Sequence, residues 1–584
     1  MRLTPAVLRS KLTYFSMEVG LDARIPTYSG GLGILAGDFL RSAADLHVPM
    51  VGVTLLHRRG YFRQKLEPNG VQFESATSWN PADHLEPMTQ SVPITLEGRE
   101  LRIRPWRYIV EGATGHTIPL YFLDTDVEGN DPWDRTLTGQ LYGGDIRYRL
   151  CQEAILGLGG FAVLQALGHG PDLQHHMNEG HSALLTLALL ERQTRGRGLR
   201  AATEADVEAV RSRCIFTTHT PVPAGHDVFP VDLAWQVLGP ERTETLSRLG
   251  CIQDGKLNMT HLGLRFSRYT NGVAMQHGEV SRHMFPRFPI NAITNGVHAI
   301  TWTSAPFQKL FDEHISQWRR DNLYLRYALQ IPLHEIRAAH AEAKQTLVQE
   351  VEARAGVRLD AAVFTIGYAR RATVYKRASL IFADRERLRG IAHDLGGLQI
   401  VFAGKAHPHD TAGKEMIRSI FEAQAQLKGD VSVVFVENYD MELALKYVSG
   451  VDLWLNTPRR PQEASGTSGM KAALNGVPSL SVLDGWWVEG HQEGVTGWAF
   501  GDGPGCESDT PGEIASLYDK LEDVILPLYY RRPDDYAKVM RNAIALNGSF
   551  FNTQRMLLQY LTNAYFPATP SPIHRRESAT PARG

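Results

Sequence analysis

The second half of the chain alternates short apolar runs with longer helical stretches, and nothing else in the sequence constrains the fold as tightly. Strand candidates stand at residues 363–367, 399–403, 431–435, 452–455 and 479–483, separated by segments long enough for crossover helices. That spacing predicts a parallel sheet covered by helices. A charged helical run, HEIRAAHAEAKQTLVQEVEAR, precedes it. In the first half, apolar strands are expected at 12–17 and 49–56, with further strand ends at 172–177, 214–218 and 291–294. Between residues 90 and 125 polar and apolar residues alternate between glycine turns, the pattern of an inserted antiparallel meander. No repeat of fixed period occurs. The expected organisation is an α/β domain over residues 1–310, a second Rossmann-like domain over 311–566 and a Pro/Ser/Arg-rich tail, 567–584, expected to be disordered. The helical stretches of 511–561 are candidates to pack back on the first domain. Two such domains put their ligand sites at the C-terminal ends of the strands, facing across a cleft.

Length and charge agree. A chain of 584 residues with 43% hydrophobic residues suits two large cores. Lys+Arg is 61 and Asp+Glu is 63, a net charge of −2, which argues against a nucleic-acid binder that relies on overall positive charge. Four cysteines without CxxC spacing give neither a disulfide framework nor a zinc ribbon. The first residues carry no apolar signal segment, and the longest apolar stretch, 154–167, is interrupted by glycines and too short to span a bilayer. A soluble, cytoplasmic protein is expected.

The chemistry-bearing residues fall just after predicted strands. The segment EASGTSGMK, Glu463 to Lys471, sets small and hydroxyl residues before a good helix former. A helix starting there offers free backbone N–H groups to an anion. Thr467 and Lys471, four apart, share a helical face. A phosphate held at Thr467–Ser468 leaves the Lys471 amine free to reach an aldehyde of the same ligand, and pyridoxal phosphate carries both groups. The plainer reading is a helix cap with a solvated lysine. After the strand at 363 comes YARRATVYKR, where Arg370, Arg371, Lys376 and Arg377 can grip phosphates; the bland alternative is a solvated basic loop. Lys405, in GKAHP, is a further candidate cation. YSGGLG, residues 28–33, lets backbone amides approach a phosphate or sugar, but lacks the last glycine of a dinucleotide fingerprint. HMNEGH (with Glu179 and His181), TTHTP (with His219) and TNGVH (with Asn295) offer groups that bond sugar hydroxyls, though each histidine alone reads equally as structural. Without HExxH or a tight His/carboxylate run, no metal is expected.

Taken together and in order, these segments resemble the α-glucan phosphorylase family, the glycogen, starch and maltodextrin phosphorylases, from about residue 12 to 550. EASGTSGMKAALNG is the most specific stretch, supported by YSGGLG, HMNEGH, TTHT, ITNGV, RRATVYKR, GKAHP and VENYD. The resemblance implies the two-domain fold called GT-B and phosphorolysis of α-1,4-glucan to glucose 1-phosphate with retention of configuration. It implies that Lys471 holds pyridoxal phosphate, with Thr467, Ser468, Gly469 and Arg370 around the cofactor phosphate. It places Arg371 and Lys376 on the substrate phosphate. Tyr375, Glu463, Ser465 and Gly466 fall around the transferred glucosyl ring, and Asn295 and His219 at its 6-hydroxyl. Gly30, Gly31 and Leu32 fall in the loop facing phosphate and sugar. Glu179 and His181 border the acceptor side.

The chain departs from that pattern in places. Arg370 stands where lysine is common, Glu179 where the large enzymes have aspartate, and YFSMEVGLD lacks a tyrosine on the cofactor side. The long N-terminal extension of the animal enzymes is not matched, so control by phosphorylation of that type is not expected. A nucleotide-sugar glucan synthase and a silent glucan-binding homologue are the competing readings. The expected partners are α-glucan and inorganic phosphate or glucose 1-phosphate, with no nucleic acid and no membrane. A homodimer is compatible with the sequence, which leaves the assembly open.

Overall fold

A computed structural model describes residues 12–170, 172–503 and 508–567. The expected tail beyond 567 and Cys506 lie outside the described residues. The chain forms two compact units. One comprises the residues up to Tyr61, Thr77–Ile293 and the chain from Met556; the other comprises Phe62–Ala76 and Thr294–Arg555. The change-over thus falls at Ile293/Thr294, where the sequence suggests about residue 310. Of the late helical stretches, only the chain from Met556 joins the first unit.

The second unit is built on a six-stranded sheet. Its order is Ser432–Val436, Gln399–Ala403, Thr365–Ala369, Leu453–Asn456, Ser479–Ser481, Gly497–Ala499. Every pairing is parallel, as the alternating pattern requires. Both faces are covered, so the strands are buried almost throughout and read as apolar runs rather than alternations. From Thr365–Ala369 the chain winds outward in one direction, then crosses back to Leu453–Asn456 and winds the other way. The gap beyond the C-terminal ends of these two strands is the topological switch point, where open α/β sheets bind ligands.

The first unit repeats this plan. Leu12–Phe15 pairs in parallel with Met50–Leu55 on one side and Gln174–Asn178 on the other. The sheet continues through Cys214–Thr217 and Tyr269–Gly272 to Asn291–Ala292. On the other edge, Thr117–Asp124 pairs parallel to Met50–Leu55 and antiparallel to Arg99–Glu111, which also pairs with Val92–Leu96; this is the meander expected at 90–125. Met556, Leu557, Tyr560, Leu561 and Tyr565 are buried in this unit's core beside Tyr14 and Phe39. Tyr565 and Thr217 both bond His176, and Tyr560 bonds Thr217 and Asn271. His176 is therefore a structural residue, and burial lowers its pKa to about 3.

The hairpin of Arg63–Leu66 and Gln72–Ser75 belongs to the second unit. Its glutamines fasten it there: Gln64 Nε2 donates to Gly404 O and Gln72 Nε2 to Ala406 O, each at 2.9 Å. Lys405 serves the same junction. Its Nζ donates to Phe62 O at 2.9 Å and lies over the Phe62 ring. The lysine read as a phosphate cation is instead spent on holding the start of the hairpin. Among the described residues, no helix is long and apolar enough to cross a membrane.

Candidate active site

At the switch point of the second unit, the strand Thr365–Ala369 ends directly in Arg370 and Arg371. The turn Val374–Lys376 follows. Tyr368 Oη and Thr457 Oγ1 both donate to Lys376 O at 2.8 Å, so the two strands around the switch fix the lysine backbone. Behind it, Arg377 adopts a left-handed conformation (φ 48°) and donates to Thr457 O and Pro458 O. Its guanidinium pairs with Glu513, which also pairs with the buried Arg460. Arg377, the fourth cation of the basic cluster, is thus structural.

The other three face the site. Glu463 Oε2 accepts from Arg370 Nη2 at 2.7 Å and from Lys376 Nζ at 2.5 Å. Arg371 is exposed and its charge acts on Tyr375, whose ring lies beneath the Lys376 amine at 4.5 Å. Burial opposes ionisation of Glu463, but the Arg370 and Lys376 charges outweigh it and hold the carboxyl at about 2. Burial and the Arg370 charge press the Lys376 amine down to about 7, with Glu463 only partly offsetting them. Arg370 and Lys376 share one buried carboxylate, with the exposed Arg371 close by, so positive groups outnumber negative ones here, and a bound anion relieves such an excess.

The strap 463–466 leads into the helix Thr467–Leu474, capped by Gly466 in a left-handed conformation (φ 88°). Gly466 has no side chain with which to cap the first N–H groups of this helix, which suits them to a ligand. Ser468 Oγ accepts from Trp454 Nε1 at 3.1 Å, which ties the helix start to the switch strand. Gly469 has a packing reason: a Cβ there would stand 2.8 Å from Trp486. Lys471 is buried, with Nζ 3.6 Å from the centre of the Trp302 ring. Trp302 O and Ser304 N bond the Asn475 side chain one turn beyond Lys471, which fixes the tryptophan wall.

Among the described residues, Arg370 Nη1, Thr373 Oγ1, Asn456 Oδ1 and Ser465 Oγ are buried polar atoms without a hydrogen-bond partner. All four stand at the ends of the two switch strands, just after them or on the strap, and orphaned buried groups are costly unless a ligand satisfies them. A buried amine, a helix start, neighbouring cations and the unpaired donors of Arg370, Thr373 and Ser465 suit a phosphorylated aldehyde such as pyridoxal phosphate. Asn295, in the same unit, has its carbonyl fixed by Arg555 Nη2 at 2.8 Å.

The remaining predicted site residues belong to the first unit and cluster at its own switch point. Gly30 caps the helix Gly31–Asp45, whose third residue is Gly33; Gly30 and Gly31 have open space where a Cβ would point, while Leu32 is half-buried. Glu18 holds this loop, with Oε2 accepting from Ser29 N and Gly30 N and Oε1 from Tyr142 Oη at 2.9 Å. Burial pushes Glu18 up despite these bonds. Glu179 has φ 92° and ψ 164°, a region that a side chain enters only under strain. Its carboxylate accepts from Gly180 N, His219 N and Thr220 Oγ1. His219 Nε2 lies 2.6 Å from Asn178 Oδ1, and burial keeps the ring neutral. His181 Nε2 accepts from Met17 N at 3.0 Å, so this nitrogen is used within the fold; burial lowers its pKa to about 3.

Sequence reasoning missed Glu18, Tyr142, Trp302 and Asp484. Glu18 and Asp484 share a local signal, a carboxylate just past a strand end. Tyr142 and Trp302 act across large sequence separations. One His/carboxylate group with metal-like spacing exists among the described residues, Glu313, His314 and Glu335, where non-neighbouring segments meet. It lies at the surface, and His314 is already paired with Glu335 at 2.8 Å.

Comparison with known proteins defines the class. The carbohydrate phosphorylase family model matches residues 22–105 and 235–502. The maltodextrin phosphorylase of Thermococcus litoralis is 39% identical over 96% of this chain and 71% of its own length. The glycogen phosphorylases of Mycobacterium tuberculosis and Aquifex aeolicus are each 35% identical, over 97% and 95% of this chain and 72% and 86% of their own lengths. The chain belongs to the carbohydrate phosphorylase family.

Proposed function

We propose that this chain is an α-1,4-glucan phosphorylase that carries pyridoxal phosphate on Lys471 and releases glucose 1-phosphate from glycogen, starch or maltodextrin. The observation that carries the reading is the buried Lys471 on the helix that opens beside Arg370, Lys376 and Glu463 at a sheet switch point. Pyridoxal phosphate, when bound, supplies a phosphate group that exchanges a proton with inorganic phosphate. The protein's residues do the rest. Lys471 tethers the cofactor, and Trp302 shields the amine from water. The N–H groups of Thr467, Ser468 and Gly469, with Arg370, offset the charge of the cofactor phosphate.

Arg371 and Lys376 hold the substrate phosphate against it, a juxtaposition of anions that only a surplus of cations permits. Glu463, Ser465, Gly466 and Tyr375 fix the glucosyl ring. Asn295 and His219 receive its 6-hydroxyl, and Gly30, Gly31 and Leu32 give backbone approach. Phosphate that protonates the glycosidic oxygen and then attacks from the same face gives retention. The GT-B arrangement and a cytoplasmic setting are part of this reading. A nucleotide-sugar synthase has no use for a buried tethering lysine, and a silent glucan binder has none for three site cations.

Borohydride reduction of the holoenzyme followed by peptide mapping tests the tether. The cofactor is expected on Lys471 and absent after Lys471→Ala; a label on another lysine, or an active enzyme without cofactor, would refute the assignment.

A further inference from the structure

The turn after the strand Ser479–Ser481 is stitched to the strap that carries Glu463. Asp484 is buried at 3% exposure. Its Oδ2 accepts from Glu463 N and its Oδ1 from Gly485 N, both at 2.9 Å. Trp486 N donates to Ser465 O at 2.9 Å. Gly485 has φ 56°, and a Cβ there would lie 2.4 Å from Ser465 O, so only glycine lets the two segments come this close. Residues 463–466 belong to neither helix nor sheet. The height at which the Glu463 carboxylate stands therefore depends on what grips its backbone, and Asp484 is the side chain that does so.

We propose that Asp484 is a positioning residue for phosphorolysis: by holding the Glu463 backbone it sets how closely the Glu463 carboxylate engages Arg370 and Lys376, and hence how much cationic charge remains for the substrate phosphate. The proposal rests on the phosphorylase reading above. It accounts for an otherwise unexplained cost, a second carboxyl buried beside Glu463. Burial and the Glu463 charge push Asp484 up to about 7, while the two backbone N–H bonds and the Lys376 charge favour its ionised form. The charged groups facing it are Glu463 on the strap and Lys376 on the Val374–Lys376 turn. Ionised, it accepts both N–H groups; protonated, one oxygen carries a hydrogen and one grip weakens.

A double-mutant cycle on the holoenzyme decides the matter. Asp484→Asn preserves size but sets an amide NH2 against one of the two N–H groups. In the wild-type background it is expected to lower kcat/KM for phosphate about tenfold or more, with the bound cofactor retained. In a Glu463→Gln background, where the carboxylate to be positioned is gone, the same change is expected to cost less than about twofold. An equal loss in both backgrounds, or no loss in either, overturns the proposal. Should Asp484→Asn not fold, Asp484→Glu, which keeps both oxygens but displaces the strap, goes through the same cycle with the same expected contrast. If the wild-type protein makes no glucose 1-phosphate, the phosphorylase reading itself fails, and the two failures are distinguishable.

Discussion

A lysine amine buried beside two guanidinium groups holds its proton weakly, and at Lys376 the native state lowers the pKa from its ordinary value near 10.5 to about 7. The sign follows. Folding favours the neutral amine, so this group's contribution to stability is present above about 10.5 and is lost as pH falls towards 7. Binding of an anion favours the ammonium instead. Sulfate, whose charge is constant near neutrality, should therefore bind with proton uptake and weaken by up to about tenfold per pH unit above 7. Lys376→Arg should flatten that profile. Calorimetry across pH checks it, and sulfate affinity independent of pH in the wild type would contradict the assignment. For Arg371, exposed beside Tyr375, replacement by alanine should raise the phosphate requirement and cost about 2–4 kcal/mol of transition-state stabilisation while the cofactor stays bound. Unchanged phosphate kinetics would remove it from the site.

At the scale of the element, glycines separate packing from function. Gly37 lies on the buried side of the helix Gly31–Asp45, where a Cβ would stand 1.9 Å from Gly20 O. Gly37→Ala should cost about 1–3 kcal/mol or more in thermal or denaturant unfolding, because backbone must move. A Cβ on Gly31 meets nothing within 4 Å. Gly31→Ala should leave stability within about 0.5 kcal/mol yet slow phosphorolysis, the signature of a loop kept bare for a ligand. A fully active Gly31→Ala enzyme would remove that role.

The parallel strands were legible because burial on both faces makes them uninterrupted apolar runs; Gln399–Ala403 falls where the pattern predicts, and the charged run from His334 lies within the helix Leu333–Ala355. The hairpin at Arg63–Leu66 and Gln72–Ser75 was not, because its attachment rests on glutamine side chains reaching carbonyls more than three hundred residues away. Trp302 was hidden because its contact with Lys471 also joins distant parts of the chain. The basic cluster was legible as a cluster, but only three-dimensional pairing divides Arg377, bound to Glu513, from Arg370 and Lys376, bound to Glu463.

For the whole molecule, the two units share one plan, a parallel sheet whose winding reverses, with predicted site residues just beyond each reversal. The chain closes the first unit last, through Met556–Tyr565. A chain ending at Arg555 should lose the first unit's cooperative unfolding and its solubility, since five large side chains leave that core; retained cooperative unfolding of both units would contradict this.

With the holoenzyme, maltodextrin and inorganic phosphate, glucose 1-phosphate should form at a rate set by phosphate and vanish with Lys471→Ala. Free glucose released without phosphate, or glucosyl transfer that requires a nucleotide sugar, would contradict the account.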